Sequence, residues 1–188
     1  NIMNYKSLRE CIENLDKKGD LLRIKEEVDP YLEMAEIHRS IFQKKGKALY
    51  FEKVKGSPFP AVSNLFGTLD RSKLILGKNL QRVKKVFELK SNPNQFFKNP
   101  FKYFDLPLLG LSALPMKVSS GPCLECETTI DQLPQIVSWP KDGGSFILLP
   151  QVFTMDPDKE KIWNSNTGMY RIQMSGNEYE MNKEIGLH

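Results

Sequence analysis

Phe146-Ile147-Leu148-Leu149, Gln151-Val152-Phe153-Thr154 and Gly168-Met169-Tyr170-Arg171-Ile172-Gln173-Met174 are apolar-rich runs of strand length. The first pair is followed by the turn-formers Met155-Asp156-Pro157-Asp158, and the last run by Ser175-Gly176-Asn177. Short runs bounded by turn chemistry predict antiparallel β-strands. A β-rich domain is therefore expected over residues 115–188, starting about where the preceding composition changes.

That change is the stretch from Asn92 to Pro122, which carries Pro93, Pro100, Pro107, Pro115 and Pro122 among Phe96, Phe97, Phe101, Tyr103 and Phe104. Aromatic residues in a Pro-broken segment predict an extended arm anchored on a domain surface. Upstream of it, helices and strands alternate. Ser7 and Glu10 form a capping box for a helix whose apolar face is Leu8, Cys11, Ile12 and Leu15, and Gly19 closes it. Leu21-Leu22-Arg23-Ile24 reads as a strand. Asp29-Pro30 supplies an N-cap and first-turn Pro for a second helix running to about Lys44, with a buried stripe of Leu32, Ala35 or Ile37, and Ile41. Ala48-Leu49-Tyr50-Phe51 and Phe59 to Leu65, joined by Lys55-Gly56-Ser57-Pro58, predict a hairpin. Helices are expected over 70–76 and 80–89, the latter with Val83, Val86, Phe87 and Leu89 as its apolar side. The fold class is α+β: an amino-terminal α/β domain over 1–114, with the arm from about 92, then the β-rich domain.

Composition narrows the function. At 188 residues with 40% apolar side chains the chain can bury a core without a disulfide or structural metal. The net charge is only +4 and the bases are scattered, which argues against a nucleic-acid partner. No apolar run reaches the roughly 18 residues of a membrane span, and the polar opening lacks the apolar core of a signal peptide, so a cytoplasmic location is expected. Three cysteines, an odd number, fit reduced thiols. Cys123 and Cys126 have the spacing of a zinc half-site, but no second pair of ligands stands at a matching spacing. His38 receives no role, Lys44-Lys45 and Lys84-Lys85 read as solvated faces, and Gly143-Gly144 is a turn without the helix a phosphate loop requires. In Trp163-Asn164-Ser165-Asn166-Thr167-Gly168-Met169-Tyr170-Arg171 an Asn oxygen could ligate a hard cation and backbone amides could meet a phosphate. The competing reading is an ordinary loop entering a strand with a solvent-facing Arg.

Several motifs, in this order, resemble the UbiD-like decarboxylases that use prenylated FMN. They are Tyr5-Lys6-Ser7-Leu8-Arg9, Gly19-Asp20-Leu21-Leu22-Arg23-Ile24, Val28-Asp29-Pro30 with Glu33 and Glu36, Ser63-Asn64-Leu65-Phe66-Gly67-Thr68, Leu133-Pro134, Trp139-Pro140-Lys141-Asp142-Gly143-Gly144 and Asn166 to Gln173. The resemblance covers nearly the whole chain. It implies that the second domain is part of a split β-barrel of the flavin-reductase-like, FMN-binding kind, with a third domain beyond it. Asn166 resembles the ligand of a divalent metal, Mn or Mg with K as a further candidate, that bridges to the cofactor phosphate. Thr167, Gly168, Met169, Tyr170 and Arg171 resemble the segment along prenylated FMN, and Arg171 the residue that works with two glutamates on the substrate carboxylate and the departing proton.

The resemblance further implies reversible decarboxylation of aromatic or α,β-unsaturated acids, with 3-polyprenyl-4-hydroxybenzoate of quinone biosynthesis as the commoner substrate of the family. A flavin prenyltransferase would supply the cofactor, the full-length protein would be a homo-oligomer, and peripheral membrane contact would follow from a prenylated substrate. Further metal ligands and both catalytic glutamates are expected beyond residue 188, so the chain by itself is expected to be inactive. Gly186-Leu187-His188 resembles a position a few residues before the family's metal His, and neither His188 nor Glu178, Glu180 or Glu184 is assigned. Two other classes remain open: an FMN-binding, flavin-reductase-like module, and a non-catalytic docking domain. Downstream glutamates separate the first from the decarboxylase, and tolerance of alanine at Asn166 and Arg171 would mark the second.

Overall fold

The computed structural model describes residues 5–112, 114, 118–159 and 161–188. Residues 1–4, Pro115 and the expected domain start at 115 lie outside them. The fold is mixed α and β around two three-stranded sheets.

Residue alternation builds the first sheet. Strand β1 (Leu21–Val28) runs parallel to β2 (Ala48–Val54), and helix α2 (Glu33–Gln43) makes the crossover between them. β2 then turns back into β3 (Ala61–Ser63), which is the expected hairpin. Successive β2 residues point to opposite faces. Leu49 and Phe51 pack with Val28 and Met34 on the α2 side, joined by Val54 at the end of the strand, while Ala48 packs with Leu15, Cys11 and Leu21 under helix α1 (Leu8–Lys17). Burying a side chain such as Phe51 contributes about 1.5–3 kcal/mol. The expected cap of α1 is present: Ser7 Oγ accepts from Glu10 N at 3.2 Å, and Glu10 reaches back to Lys6 N at 2.8 Å.

The start of α2 departs from expectation. Asp29 caps the N–H of Tyr31 at 2.9 Å, and the helix begins only at Glu33, after Leu32 at φ 65°. An Asx turn has taken the cap, leaving Pro30 outside the first turn. Met34 is the buried residue of this helix, flanked by the expected Ile37 and Ile41.

Helix α3 (Leu69–Ser91) joins the two helices expected here across a break at Gly77, whose φ of 54° and ψ of −136° no L side chain adopts easily. The first half lays Leu74 and Ile75 on the α1 side of the sheet. In the second half Val83, Val86 and Phe87 are exposed and only Leu89 of the anticipated apolar side is half-buried. The arm also differs: it is not extended but forms short helices, α4 (Gln95–Lys98) and α5 (Leu106–Ser112), with a 3-10 turn between. Only Tyr103 of its aromatics is buried, donating to Glu88 at 3.1 Å, whereas Phe97, Phe101 and Phe104 face solvent. Ion pairs Lys85–Asp105 at 2.9 Å and Lys102–Glu88 at 2.6 Å hold the arm to α3, contacts that the aromatic pattern did not announce.

A buried arginine ties the first unit together. Arg71, 2% exposed, donates to Leu65 O at 3.0 Å, Asp20 Oδ1 at 2.8 Å, Gly46 O at 3.1 Å and Asn64 O at 2.8 Å. Asn64, at φ 57°, turns its amide to Lys47 O at 2.8 Å.

The second sheet contains β4 (Phe146–Met155), β5 (Ser165–Gln173) and β6 (Gly186–Leu187), all antiparallel. The two runs expected before Met155 form one strand, bent where the register slips between Leu148 and Gln151 and Leu149 takes φ 60°. The segment before β4 links the sheets: Val137 bridges Tyr31, exchanges hydrogen bonds with Leu32 N and Pro30 O, and Ser57 Oγ donates to Gln132 O at 2.6 Å.

Two outcomes are expected from these contacts. Arg71→Ala should cost about 3–5 kcal/mol in urea unfolding, because it takes the charged partner from Asp20 and the donor from Leu65 O, and leaves Asn64 O and Gly46 O with only Gly67 N at 3.2 Å and Asn64 Nδ2 at 3.4 Å; a loss under 1 kcal/mol would contradict the hub. His38, half-buried beside Ser63 Oγ, has its imidazole pushed below the ordinary value by burial. The unfolded chain therefore takes up the proton first, and stability should fall as pH drops below about 6.5. His38→Gln should flatten that part of a thermal-midpoint profile.

Candidate functional site

The candidate residues lie on β5, which follows a 3-10 turn at Ile162–Asn164. Asn166 stands opposite Thr154, Thr167 opposite Phe153, Gly168 opposite Val152, Met169 opposite Gln151 and Arg171 opposite Leu148. The one extra residue of the register slip belongs to β4, so β5 stays regular and its side chains alternate. Alternation divides the candidates. Asn166, Gly168 and Tyr170 share one face, and Thr167, Met169 and Arg171 share the other.

On the first face, Asn166 Nδ2 donates to Tyr170 Oη at 3.0 Å. The tyrosine ring lies across Gly168, where a Cβ would sit 2.6 Å from Tyr170 Cε2. Asn166 is exposed, and its Oδ1 has no partner among the described residues. A free amide oxygen is a ligand type that Mg or Mn accepts. It stands alone, because no group of three or more His, Cys, Asp or Glu residues that could hold a metal occurs among the described residues.

On the second face, the Arg171 guanidinium carbon lies 4.2 Å from the Phe146 ring centroid, and Phe146 is 7% exposed. The backbone of Arg171 exchanges two hydrogen bonds of 2.9 Å with His188. His188 Nε2 is 3.1 Å from Gln173 Oε1, so that nitrogen carries the proton. Gln173 is itself buried, accepting from Asn177 Nδ2 at 3.1 Å and donating to Ser175 O at 2.9 Å. Phe146 and Gln173 were legible only as strand residues; their cross-strand register, Phe146 opposite Gln173, is what makes them neighbours of Arg171.

β6 pairs with Ile172 and Gln173 only, and His188 extends the contact to Arg171. The outer edge of β5 from Asn166 to Tyr170 thus carries no neighbouring strand among the described residues. Cys123 and Cys126 are exposed free thiols, while Cys11 is buried and its thiol is pushed up by desolvation.

The family profile of the 3-octaprenyl-4-hydroxybenzoate carboxy-lyase N-terminal domain matches residues 12–90, and that of the Rift-related domain of the same enzyme matches residues 116–188. The chain belongs to the UbiD family. An uncharacterized protein of Chlamydia trachomatis is 39% identical over 189 residues, covering 97% of this chain and 31% of the relative. The closed form of vanillic acid decarboxylase from Sedimentibacter hydroxybenzoicus shares 29% identity at a TM-score of 0.70, over 98% of this chain and 37% of that one. The fold is also that of an evolved dimeric form of the UbiD-class enzyme HmfF from Pelotomaculum thermopropionicum in complex with prFMN, at a TM-score of 0.59 and 23% identity, over 98% of this chain and 38% of that one. This UbiD-family chain spans about a third of the length of the curated relatives it matches. No helix among its described residues is long and apolar enough to cross a membrane.

Gly168→Ala should expel the Tyr170 ring and break its contact with Asn166, at a cost of about 1–3 kcal/mol. Chemical unfolding checks this, and unchanged stability would mean that the ring is not held there.

Proposed function

We propose that this chain is the amino-terminal part of a prenylated-FMN-dependent decarboxylase of aromatic or α,β-unsaturated acids. In this reading residues 1–114 form the amino-terminal domain and 115–188 begin a split β-barrel that holds the cofactor. The observation that carries it is the succession of the two UbiD-family matches, in order, along nearly the whole chain.

The residues of β5 fit the roles. Asn166 offers an uncommitted hard oxygen to a divalent metal beside the cofactor phosphate. Thr167, Gly168, Met169 and Tyr170 lie along an edge of β5 that no strand among the described residues pairs, which leaves backbone groups for a cofactor. Arg171 holds the acid: its permanent charge and planar fork suit a carboxylate held through two parallel hydrogen bonds. Prenylated FMN, when bound, supplies the electron sink for the bond to CO₂. The chain's own part is to orient the acid and keep its carboxylate fixed while the far side of the site, contributed by residues beyond 188, handles the proton. 3-Polyprenyl-4-hydroxybenzoate and a place in quinone biosynthesis are the substrate and role proposed, with a flavin prenyltransferase as cofactor supplier, a homo-oligomer as the full-length state, and a cytoplasmic enzyme in peripheral contact with the membrane.

The test uses the longer protein, co-expressed with a flavin prenyltransferase, and reads cofactor mass and CO₂ release from hydroxybenzoates and cinnamates. Prenylated FMN should be bound, Arg171→Ala should lower release about 100-fold, and Asn166→Ala should weaken metal and cofactor retention. Plain FMN with no release from any acid would favour a flavin-binding module instead.

A further inference from the structure

The two arginines stacked on aromatic rings differ in one respect. Arg23 lies 4.9 Å over Tyr50, and its N–H groups are spent on Asp16 at 2.8 Å and Glu52 at 3.4 Å. Arg171 lies closer, at 4.2 Å over Phe146, yet its guanidinium makes no ion pair or hydrogen bond among the described residues. Stacking uses the face of the guanidinium and leaves its in-plane N–H edges open. An arginine held in this way is an anion receptor whose shape is set before the anion arrives.

The ring that holds it is fixed from several directions. Phe146 is buried, and its N–H donates to Ile136 O at 3.0 Å. The preceding Ser145, also buried, bonds through its hydroxyl to Gln135 Oε1 at 2.5 Å and Ser175 Oγ at 2.9 Å. The His188 ring, just past β6 on the far side of β5, stands 6.2 Å from the Phe146 ring. We propose that Phe146 is a positioning residue for Arg171, a rigid aromatic platform that presents the guanidinium edge to a carboxylate. The proposal rests on the reading of Arg171 as the carboxylate-binding residue. Its physical core, the stacking itself, can be measured without cofactor.

The experiment uses the 188-residue chain, isotope-labelled, with benzoate as the probe. Ring current should place the Arg171 Hε resonance upfield of those of Arg9 and Arg82. That shift should vanish in Phe146→Leu and persist in Phe146→Tyr, which keeps the ring. Benzoate should move the Arg171 resonance in the wild type and in Phe146→Tyr, and bind about fivefold more weakly to Phe146→Leu. A nuclear Overhauser contact between the Phe146 ring and Arg171 Hδ in the wild type needs no variant, so the proposal stays open to refutation if Phe146→Leu does not fold. An Arg171 resonance that ignores Phe146→Leu in a folded chain, equal benzoate affinity in the two, or a missing Overhauser contact would overturn the platform. Absence of CO₂ release by the longer protein with these signals intact would remove the decarboxylase reading and count for the platform.

Discussion

The guanidinium of Arg71 is the contact on which the first unit depends. It reaches the turn after α1 through Asp20, the turn after α2 through Gly46, and the corner after β3 through Asn64 and Leu65. These segments are distant in sequence, and each presents a carbonyl or carboxylate to the same guanidinium, with Gly67 N at 3.2 Å and Asn64 Nδ2 at 3.4 Å as the further donors to Asn64 O and Gly46 O. One side chain with five N–H groups in a fixed plane satisfies them together, which a lysine with its rotating ammonium could not do. The arrangement also sets where α3 begins, since Thr68 caps the helix at Arg71 N.

From that fixed unit the second sheet is hung by a single connecting segment. Residues 130–137 touch Ser57, Pro30 and Leu32 on one side and, through Ile136 and Gln135, Phe146 and Ser145 on the other. The position of β4 is therefore referred to the first sheet by backbone hydrogen bonds rather than by a large apolar interface. The same segment seats Phe146, so the candidate site inherits its placement from the α/β unit although none of the candidate residues comes from it. Glycines close the base of this sheet: a Cβ at Gly176 would lie 1.7 Å from Gly143 O, so the two turns can approach only without side chains.

Local rules made much of this legible. The cap at Ser7, the alternation of helices and strands, the hairpin, the division of the helical stretch near residue 77 and the strands after 145 all follow from local periodicity and turn residues. What escaped depends on partners far away in sequence. Nothing in the neighbourhood of Arg71 says that its acceptors lie near residues 20 and 46. The Pro-rich arm is helical rather than extended, and its aromatic content does not tell how it is held: ion pairs from Lys85 and Lys102 fix it and most of its rings stay wet. At the site, the segment from Asn166 to Arg171 was recognisable by its motif, but its division between two faces needed the register, because a slip in β4 could as readily have occurred in β5 and turned every later side chain over.

The connecting segment has a consequence for how the chain is made. The parallel pair β1–β2 and its crossover are complete within the first 54 residues, and Arg71 closes the unit soon after. β4 and β5 pair across a gap that ends only near residue 173, so the second sheet cannot assemble until the first has long left the ribosome. When Val137 emerges, the backbone of residues 30–32 is already in place as a template, and synthesis order alone lets the earlier sheet direct the later one.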